Sequence, residues 1–210
     1  MSAPGPPPPP AVPPAMPPPA PDDEGSPARL SLVPPDKVLA ALALKKGQRF
    51  LDADAGSGAW FFPVFEAQKG QGVFLAAQLE EERLRRFLNR LEAYAEAPGY
   101  ARVEVVRCKP DRLPLPEACA DRVLLNQAYH RRSDRRAWLG ELRRVLAPGG
   151  LLCLLDWRPE SDPGAEGGLG PAKACRVPEA VAAHELQDAG FHPVVSHAGF
   201  AHHWCLSARR

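Results

Sequence analysis

The feature that constrains this chain most is a short apolar run that ends in an acid and opens directly into a glycine loop. The run at residues 49–52 reads Arg-Phe-Leu-Asp, and the loop at residues 53–58 reads Ala-Asp-Ala-Gly-Ser-Gly. Because glycine has no Cβ, such a loop can adopt positive φ angles and bring backbone N–H groups close to a ligand. The order of strand, acidic tip and glycine loop predicts a nucleotide pocket in an α/β protein.

From residue 35 onward, the apolar pattern alternates between helical and strand periods, as a parallel sheet with crossover helices requires. The pattern predicts strands at residues 49–52, 73–77, 102–107, 121–126 and 151–156. Helices are predicted from residue 35, from about residue 59, at residues 80–97, after a Ser133 cap, and at residues 178–189. Residues 191–196 and 201–207 are predicted to add an antiparallel pair, which makes seven strands.

Three later segments have the same order as one known family. They are Leu-Pro-Leu-Pro at residues 113–116, Ala-Asp-Arg-Val-Leu-Leu at residues 120–125, and Glu-Leu-Arg-Arg-Val-Leu-Ala-Pro-Gly-Gly at residues 141–150. With the glycine loop, they make the chain resemble the class I S-adenosylmethionine-dependent methyltransferases of the small-molecule, ubiquinone-biosynthesis type, over roughly residues 36 to 206. The resemblance implies a Rossmann-like, doubly wound, seven-stranded and mostly parallel sheet, with S-adenosylmethionine as the cofactor.

The resemblance also implies where the cofactor would bind. In open α/β sheets, ligands bind beyond the carboxyl ends of the strands, where the strand order reverses. The positions of this chain that match the family's cofactor contacts are Asp52, Ala53, Asp54, Gly56, Gly58, Gln78, Lys109 and Asn126.

Three of these positions depart from the family pattern. Asp54 replaces the first loop glycine, and like charges about 4 Å apart repel by roughly 4 kcal/mol at an effective dielectric near 20. Gln78 replaces the acid that accepts from the ribose hydroxyls, at a cost on the order of 1 kcal/mol. Lys109 stands where an acid normally accepts from the adenine amino group. These departures predict weakened or absent cofactor binding, although a register shift of one or two residues would let Glu80 and Asp111 take the ribose and adenine roles.

The family places substrate and methyl-transfer residues after the fourth strand, which makes Tyr129 and His130 the catalytic candidates. A histidine can act as a general base near neutral pH. The alternative is that His130 is a surface histidine beside a basic patch. That patch would either hold an acidic group or form the solvated start of a helix. The patch consists of Arg131, Arg132, Arg135 and Arg136.

The leading functional hypothesis is methyl transfer to a small molecule. The alternative is a catalytically inactive methyltransferase-like domain that serves as a binding or scaffold module. Dinucleotide-dependent redox chemistry is disfavoured, because the loop lacks the third glycine of that fingerprint and the second strand lacks its acid.

Composition restricts the remaining classes. With 210 residues, 45% of them hydrophobic, the chain can form one buried domain plus a tail. The net charge of +1 argues against nucleic acid as a partner. Five cysteines without a C-x-x-C pair indicate free thiols in a reducing compartment, and no apolar segment of membrane-spanning length occurs, so we expect a cytoplasmic protein without membrane contact. His202 and His203, next to each other on a strand, face opposite sides, so we predict no metal site.

The first 34 residues form a separate segment. Fifteen of the 26 prolines lie before Asp36, so this segment can neither donate many backbone hydrogen bonds nor bury a core. We therefore predict a disordered Pro-rich tail at residues 1–34 and a methyltransferase-like domain at residues 35–210. The tail is interpreted either as a solvated segment or as a polyproline II ligand for a protein partner.

Overall fold

The computed structural model describes residues 31–78, 80–162 and 169–210. Most of the Pro-rich tail, residues 1–30, lies outside the described residues, so the division of the chain at residue 34 stays a prediction. In the described part, the cysteines are free, and Cys108, Cys153 and Cys205 are buried. No helix of that part has the length and apolar character needed to cross a membrane.

Within the described residues, five α-helices and seven strands form the domain. The helices are α1 Pro35–Leu42, α2 Phe61–Ala67, α3 Glu81–Glu92, α4 Arg135–Val145 and α5 Glu179–Asp188. The strands are β1 Arg49–Asp52, β2 Val73–Gln78, β3 Val103–Arg107, β4 Ala120–Asn126, β5 Leu146–Trp157, β6 Val194–Ser196 and β7 His203–Arg209. The sheet order is β3-β2-β1-β4-β5-β7-β6. Strands β1 to β5 are parallel, and β7 is antiparallel to both of its neighbours, which confirms the predicted fold class.

Two helix ends differ from the sequence prediction. Helix α3 ends at Glu92 rather than near residue 97, and turns lead from there to Pro98 and Gly99. Helix α4 is capped by Asp134 and not by Ser133, because the Asp134 carboxylate accepts the N–H of Ala137 at 2.9 Å. Both residue types are good N-caps, so local sequence did not decide between them.

The strands bury both faces, as a parallel sheet with helices on each side requires. Successive residues of β1 show the alternation, because Phe50 packs into one core and Leu51 into the other. The first core holds α1, α2 and α3, and the second holds α4 and α5. In the first core, the rings of α2 pack against the sheet rather than around a pocket, with Phe61 at 5.0 Å from Phe87 and 6.4 Å from Phe74 between ring centroids.

The strand order fixes the position of the site. The chain runs from β1 outward to β2 and β3 and then returns to the other side of β1 as β4. The helices that follow β1 and β4 therefore leave the sheet on opposite faces, and a crevice opens beyond the carboxyl ends of these strands.

Candidate functional site

The loop after β1 is fixed on both sides by backbone hydrogen bonds. Ala53 donates its N–H to a β4 carbonyl at 2.9 Å, and Ala55 donates to a β2 carbonyl at 3.0 Å. Asp52 is 2% exposed at the end of β1, and its carboxylate accepts the N–H of Asp54 at 3.4 Å. The loop therefore lies across the ends of the two neighbouring strands.

The loop glycines are required by geometry. Gly56 has φ +54° and Gly58 has φ +84°, in the region that L side chains rarely adopt. A Cβ at Gly58 would lie 2.2 Å from a ring carbon of Phe62, at the start of α2. Glycine at position 58 therefore leaves room for the Phe62 ring and also allows the positive φ angle that the loop adopts.

The structure pairs Asp54 with two arginines. Its Oδ2 atom lies 2.7 Å from the Arg132 guanidinium and 3.1 Å from that of Arg131. The side chains of Asp54 and Arg132 are only 5% and 4% exposed. The sequence predicted that the Asp54 carboxylate is an unbalanced charge. In the structure, two arginines that follow β4 balance this charge.

Arg132 is part of the site and not of a solvated helix start. Its guanidinium stacks over Trp138 at 4.2 Å from the ring centroid, and its Nε is buried without a partner among the described residues. Burial lowers the pKa of Arg132, and the charge of Asp54 opposes that shift. Arg135 is likewise engaged, at 2.6 Å from Glu185 of α5.

Three buried amide side chains lie at the ends of β2 and β4. Gln78 donates its Nε2 to the carbonyl of Gly56 at 2.9 Å, which leaves its Oε1 without a partner. Asn126 and Gln127 each also bury a side-chain oxygen that no described group binds. An unsatisfied buried acceptor costs about 1–3 kcal/mol, so these oxygens are suited to the hydroxyl and amino donors of a ligand.

The end of β3 differs from the prediction. Lys109 is exposed, and its backbone pairs with Arg112, so its side chain does not line the cavity described below. The buried residue at this strand end is Cys108. Burial, reinforced by the charge of Asp54, raises the pKa of the Cys108 thiol to about 11.

His130 is held by the last buried acid of β5. Its Nδ1 lies 2.8 Å from Oδ1 of Asp156, and its backbone N–H donates to the same carboxylate at 2.8 Å. The Asp156 side chain is fully buried and that of His130 is 9% exposed. An ionised carboxylate only accepts hydrogen bonds, so Nδ1 of His130 is the donor to Asp156, and Nε2 is the ring nitrogen that this pair does not involve. The surface interpretation of His130 is therefore wrong.

Tyr129 points elsewhere. Its ring is fully buried and stands edge-on to Trp204, and its hydroxyl donates to Glu185. Burial first, and then the bond to Glu185, raises the pKa of Tyr129 far above its ordinary value. The hydroxyl is thus engaged between α4 and α5, and we assign it no chemical role.

A small cavity lies at this edge of the sheet. Its volume is about 220 Å³, and its lining residues are Asp54, Glu80, Pro110, Arg131, Arg132 and Ser133. Sites for whole drug-sized ligands measure about 300–1,000 Å³, so the cavity as it stands matches one end of such a ligand. Glu80, the alternative ribose partner, lines it and also lies 3.0 Å from Arg83.

The sequence predicted that the loop, Gln78, Asn126 and His130 belong to one site, and this assignment stays a prediction. It did not predict that Asp156 holds His130 or that Arg131 and Arg132 pair with Asp54. The sequence does contain a feature that could have identified Asp156, because this acid lies near the end of an apolar strand, much as Asp52 does in β1. Among the described residues, no cluster of three or more metal-binding side chains occurs.

Comparisons with known proteins agree with this architecture. A family model described as a methyltransferase domain matches residues 51–154. The chain is 26% identical over 126 residues to the demethylmenaquinone methyltransferase of Bacillus velezensis, a match that covers 60% of this chain and 52% of the relative. The chain therefore spans about half the length of the curated relatives it matches.

Solved structures extend the likeness to most of the domain. An S-adenosylmethionine-dependent methyltransferase from Aquifex aeolicus matches with a TM-score of 0.77 at 26% identity, over 88% of this chain and 94% of that one. Another from Mesorhizobium loti matches with a TM-score of 0.64 at 19% identity, over 83% and 96% of the two chains. The second likeness shows the fold alone.

Proposed function

Because this chain belongs to the S-adenosylmethionine-dependent methyltransferase family, we propose that it transfers a methyl group to a small-molecule acceptor at the crevice beyond β1 and β4. One observation carries the proposal, namely the buried amide oxygens without partners at the strand ends that flank the glycine loop. A nucleoside offers hydroxyl and amino donors to such acceptors.

The residues present fit the cofactor. Gln78 is oriented by its bond to the loop, so that its free oxygen would accept from a ribose hydroxyl. Asn126 offers a second buried acceptor, and the positive φ angles of Gly56 and Gly58 shape the loop between these two strand ends. When bound, S-adenosylmethionine supplies a methyl group on a positively charged sulfur.

His130 would act as the general base toward a hydroxyl-bearing acceptor. The acceptor O–H bond breaks, its proton goes to Nε2 of His130, and the oxygen becomes the nucleophile. Asp156 would be a positioning residue, because it holds the ring and stabilises the imidazolium that forms. This division of roles supports a small acceptor with an ionisable hydroxyl. That the chain works in the cytoplasm, without nucleic acid or membrane, remains a prediction.

Calorimetric titration of the full chain with S-adenosylmethionine and S-adenosylhomocysteine tests the cofactor. We expect saturable binding of both ligands. An absence of binding at millimolar concentration would refute the proposal and would favour the inactive scaffold alternative.

Two variants test the base. We expect His130→Gln to lower turnover of a hydroxyl-bearing acceptor by about 10²–10⁴-fold with little change in cofactor affinity. Asp156→Asn should lower kcat and displace the pH profile, an effect that a merely structural role would not produce. Asp121→Asn is the matched control, because Asp121 lies on β4 and pairs with Arg49 at the opposite end of β1. Equal loss of activity in the control and the test variants would refute the assignment.

A further inference from the structure

The sheet ends on one side at β6, far from the crevice in the strand order. Within the described residues, β6 pairs with β7 alone. His197, directly after β6, donates its N–H to the carbonyl of Cys205 in β7 at 2.9 Å. In an antiparallel pair, the residues whose backbone groups bind the neighbouring strand alternate with residues whose groups point away from it. The N–H and C=O groups of Val194 and Ser196 therefore point outward from the sheet edge.

The two edges of the sheet differ in charge. Strand β6 consists of Val194, Val195 and Ser196, and the Val195 side chain is 45% exposed. At the other edge, β3 has exposed charges at Glu104 and Arg107. Charged side chains at a sheet edge prevent two edges from pairing with each other. The β6 edge lacks this protection.

A groove of about 370 Å³ lies between β6 and α5, beside the open edge. Its apolar lining consists of Ala180 and Ala183 of α5, Val194 of β6 and Leu206 of β7. Because the two alanines are small and lie on one face of α5, the groove has room for a side chain that arrives from beyond the edge.

Polar side chains lie at the two ends of this groove. Glu179 and Gln187 are about 12 Å apart along the α5 axis, at 1.5 Å per residue. Glu179 accepts hydrogen bonds from Ser196 and from Arg158. A carboxylate offers about four acceptor sites, so Glu179 can take a further donor. Gln187 is exposed, and its amide can supply such a donor.

We propose that the β6 edge is the surface through which two copies of this chain associate. The two β6 strands pair antiparallel about a two-fold axis at Val195. Val194 of each copy then lies opposite Ser196 of the other, and four N–H···O=C bonds continue the sheet across the axis. Opposite residues of paired strands point to the same face, so the partner's Val194 lies beside the groove and supplies an apolar side chain to it.

The polar ends of the groove favour a second copy over an unrelated extended peptide. The same axis places the two α5 helices antiparallel, so that Gln187 of one copy faces Glu179 of the other. The amide donates to the carboxylate at both ends of the interface. On the opposite face of the sheet, the two exposed Val195 side chains lie directly opposite each other and bury their apolar surface.

Sedimentation velocity of the full chain at micromolar concentration tests the proposal, and we expect a dimer. Val195→Lys and Val195→Asp should each raise the dissociation constant of the dimer by about 10- to 100-fold, because like charges then lie opposite each other. An equimolar mixture of these two variants should restore the dimer, because opposite charges then meet. Leu88→Lys is the matched control, since Leu88 is equally exposed, at 45%, but lies on α3. It should dimerise as the parent does.

A second pair of variants tests the placement of the two α5 helices. Gln187→Glu should weaken the dimer, because it places a carboxylate against Glu179 of the other copy, and Gln187→Lys should strengthen it. Circular dichroism reports that each variant is folded. A monomeric parent would overturn the proposal and would favour an extended peptide of another protein as the occupant of the edge. A dimer that Val195→Lys does not weaken, or a mixture of Val195→Lys and Val195→Asp that stays monomeric, would also overturn it.

Discussion

Replacing Gly58 by alanine tests the glycine loop and the aromatic core together. The new Cβ would lie 2.2 Å and 2.5 Å from two ring carbons of Phe62 and 3.1 Å from one of Phe87. The Phe62 ring cannot move away freely, because it stacks between Phe87 at 5.1 Å and Tyr94 at 5.0 Å. The backbone φ of +84° adds a separate conformational penalty.

The two penalties can be separated with a second glycine. Gly47 has φ +81°, and a Cβ there would meet no atom within 4 Å. Gly47→Ala should therefore show the conformational penalty alone, about 1–2 kcal/mol. Gly58→Ala should show that penalty plus about 1–3 kcal/mol for overpacking. The expected sum is a loss of about 2–5 kcal/mol.

The measurement is the free energy of unfolding from urea titration of the parent and both variants. We also expect Gly58→Ala to weaken S-adenosylhomocysteine binding, because the displaced ring and the loop share the same backbone. If Gly58→Ala were destabilised no more than Gly47→Ala, the clash with Phe62 would not exist, and the proposed packing of loop on core would be refuted.

Three further predictions concern stability. Gly140→Ala should raise the free energy of unfolding by about 0.5–1 kcal/mol, because Gly140 lies in α4 with open space around it; a loss would contradict this placement. Tyr129→Phe should cost about 0.5–1.5 kcal/mol in the same assay and lower turnover less than His130→Gln, since its hydroxyl only binds Glu185. A hydrogen bond from Arg49 lowers the pKa of Asp121, so its stabilisation is complete above the unfolded pKa of about 4 and is lost as the pH falls through the lower folded value. Asp121→Asn should therefore cost less than about 1 kcal/mol at neutral pH and reduce the loss of stability on acidification below about pH 4, which urea titrations at several pH values would detect; an unchanged slope would contradict the pairing.

The local sequence predicted most helices and strands, because the hydrophobic repeat and the glycine and proline residues that end an element all lie close together in the chain. The bounds of β1 follow from an apolar run that ends in Asp52. Helix α4 ends at Val145, but β5 begins at Leu146 and includes the Pro-Gly-Gly at residues 148–150, which was predicted to precede the strand. The convergence of Gln78 and Asn126 on the loop also followed from the sequence, since parallel strands bring their carboxyl ends to one edge.

The same local reasoning could not predict which charged side chains pair with each other. Asp54 and Arg131 are 77 positions apart, and His130 and Asp156 are 26 apart. No periodicity relates such positions, so the sequence left the basic run after β4 open between an acid-binding patch and a solvated helix start, and it gave the loop carboxylate no partner. Lys109 was assigned to the crevice because it follows the third strand at the position of a family cofactor contact, but in the structure its backbone pairs with Arg112 and its side chain is exposed.

The sequence by itself determined the order of helices and strands, the faces they bury and the edge of the sheet at which a site can lie, because these depend on hydrophobic period and on glycine and proline at turns. Only the tertiary structure decided which charges meet at that edge. Docking of the segment after β4 against the β1 loop neutralises Asp54, and docking of β5 beside β4 orients His130. Such pairing depends on the distance in space between groups that the chain itself keeps far apart.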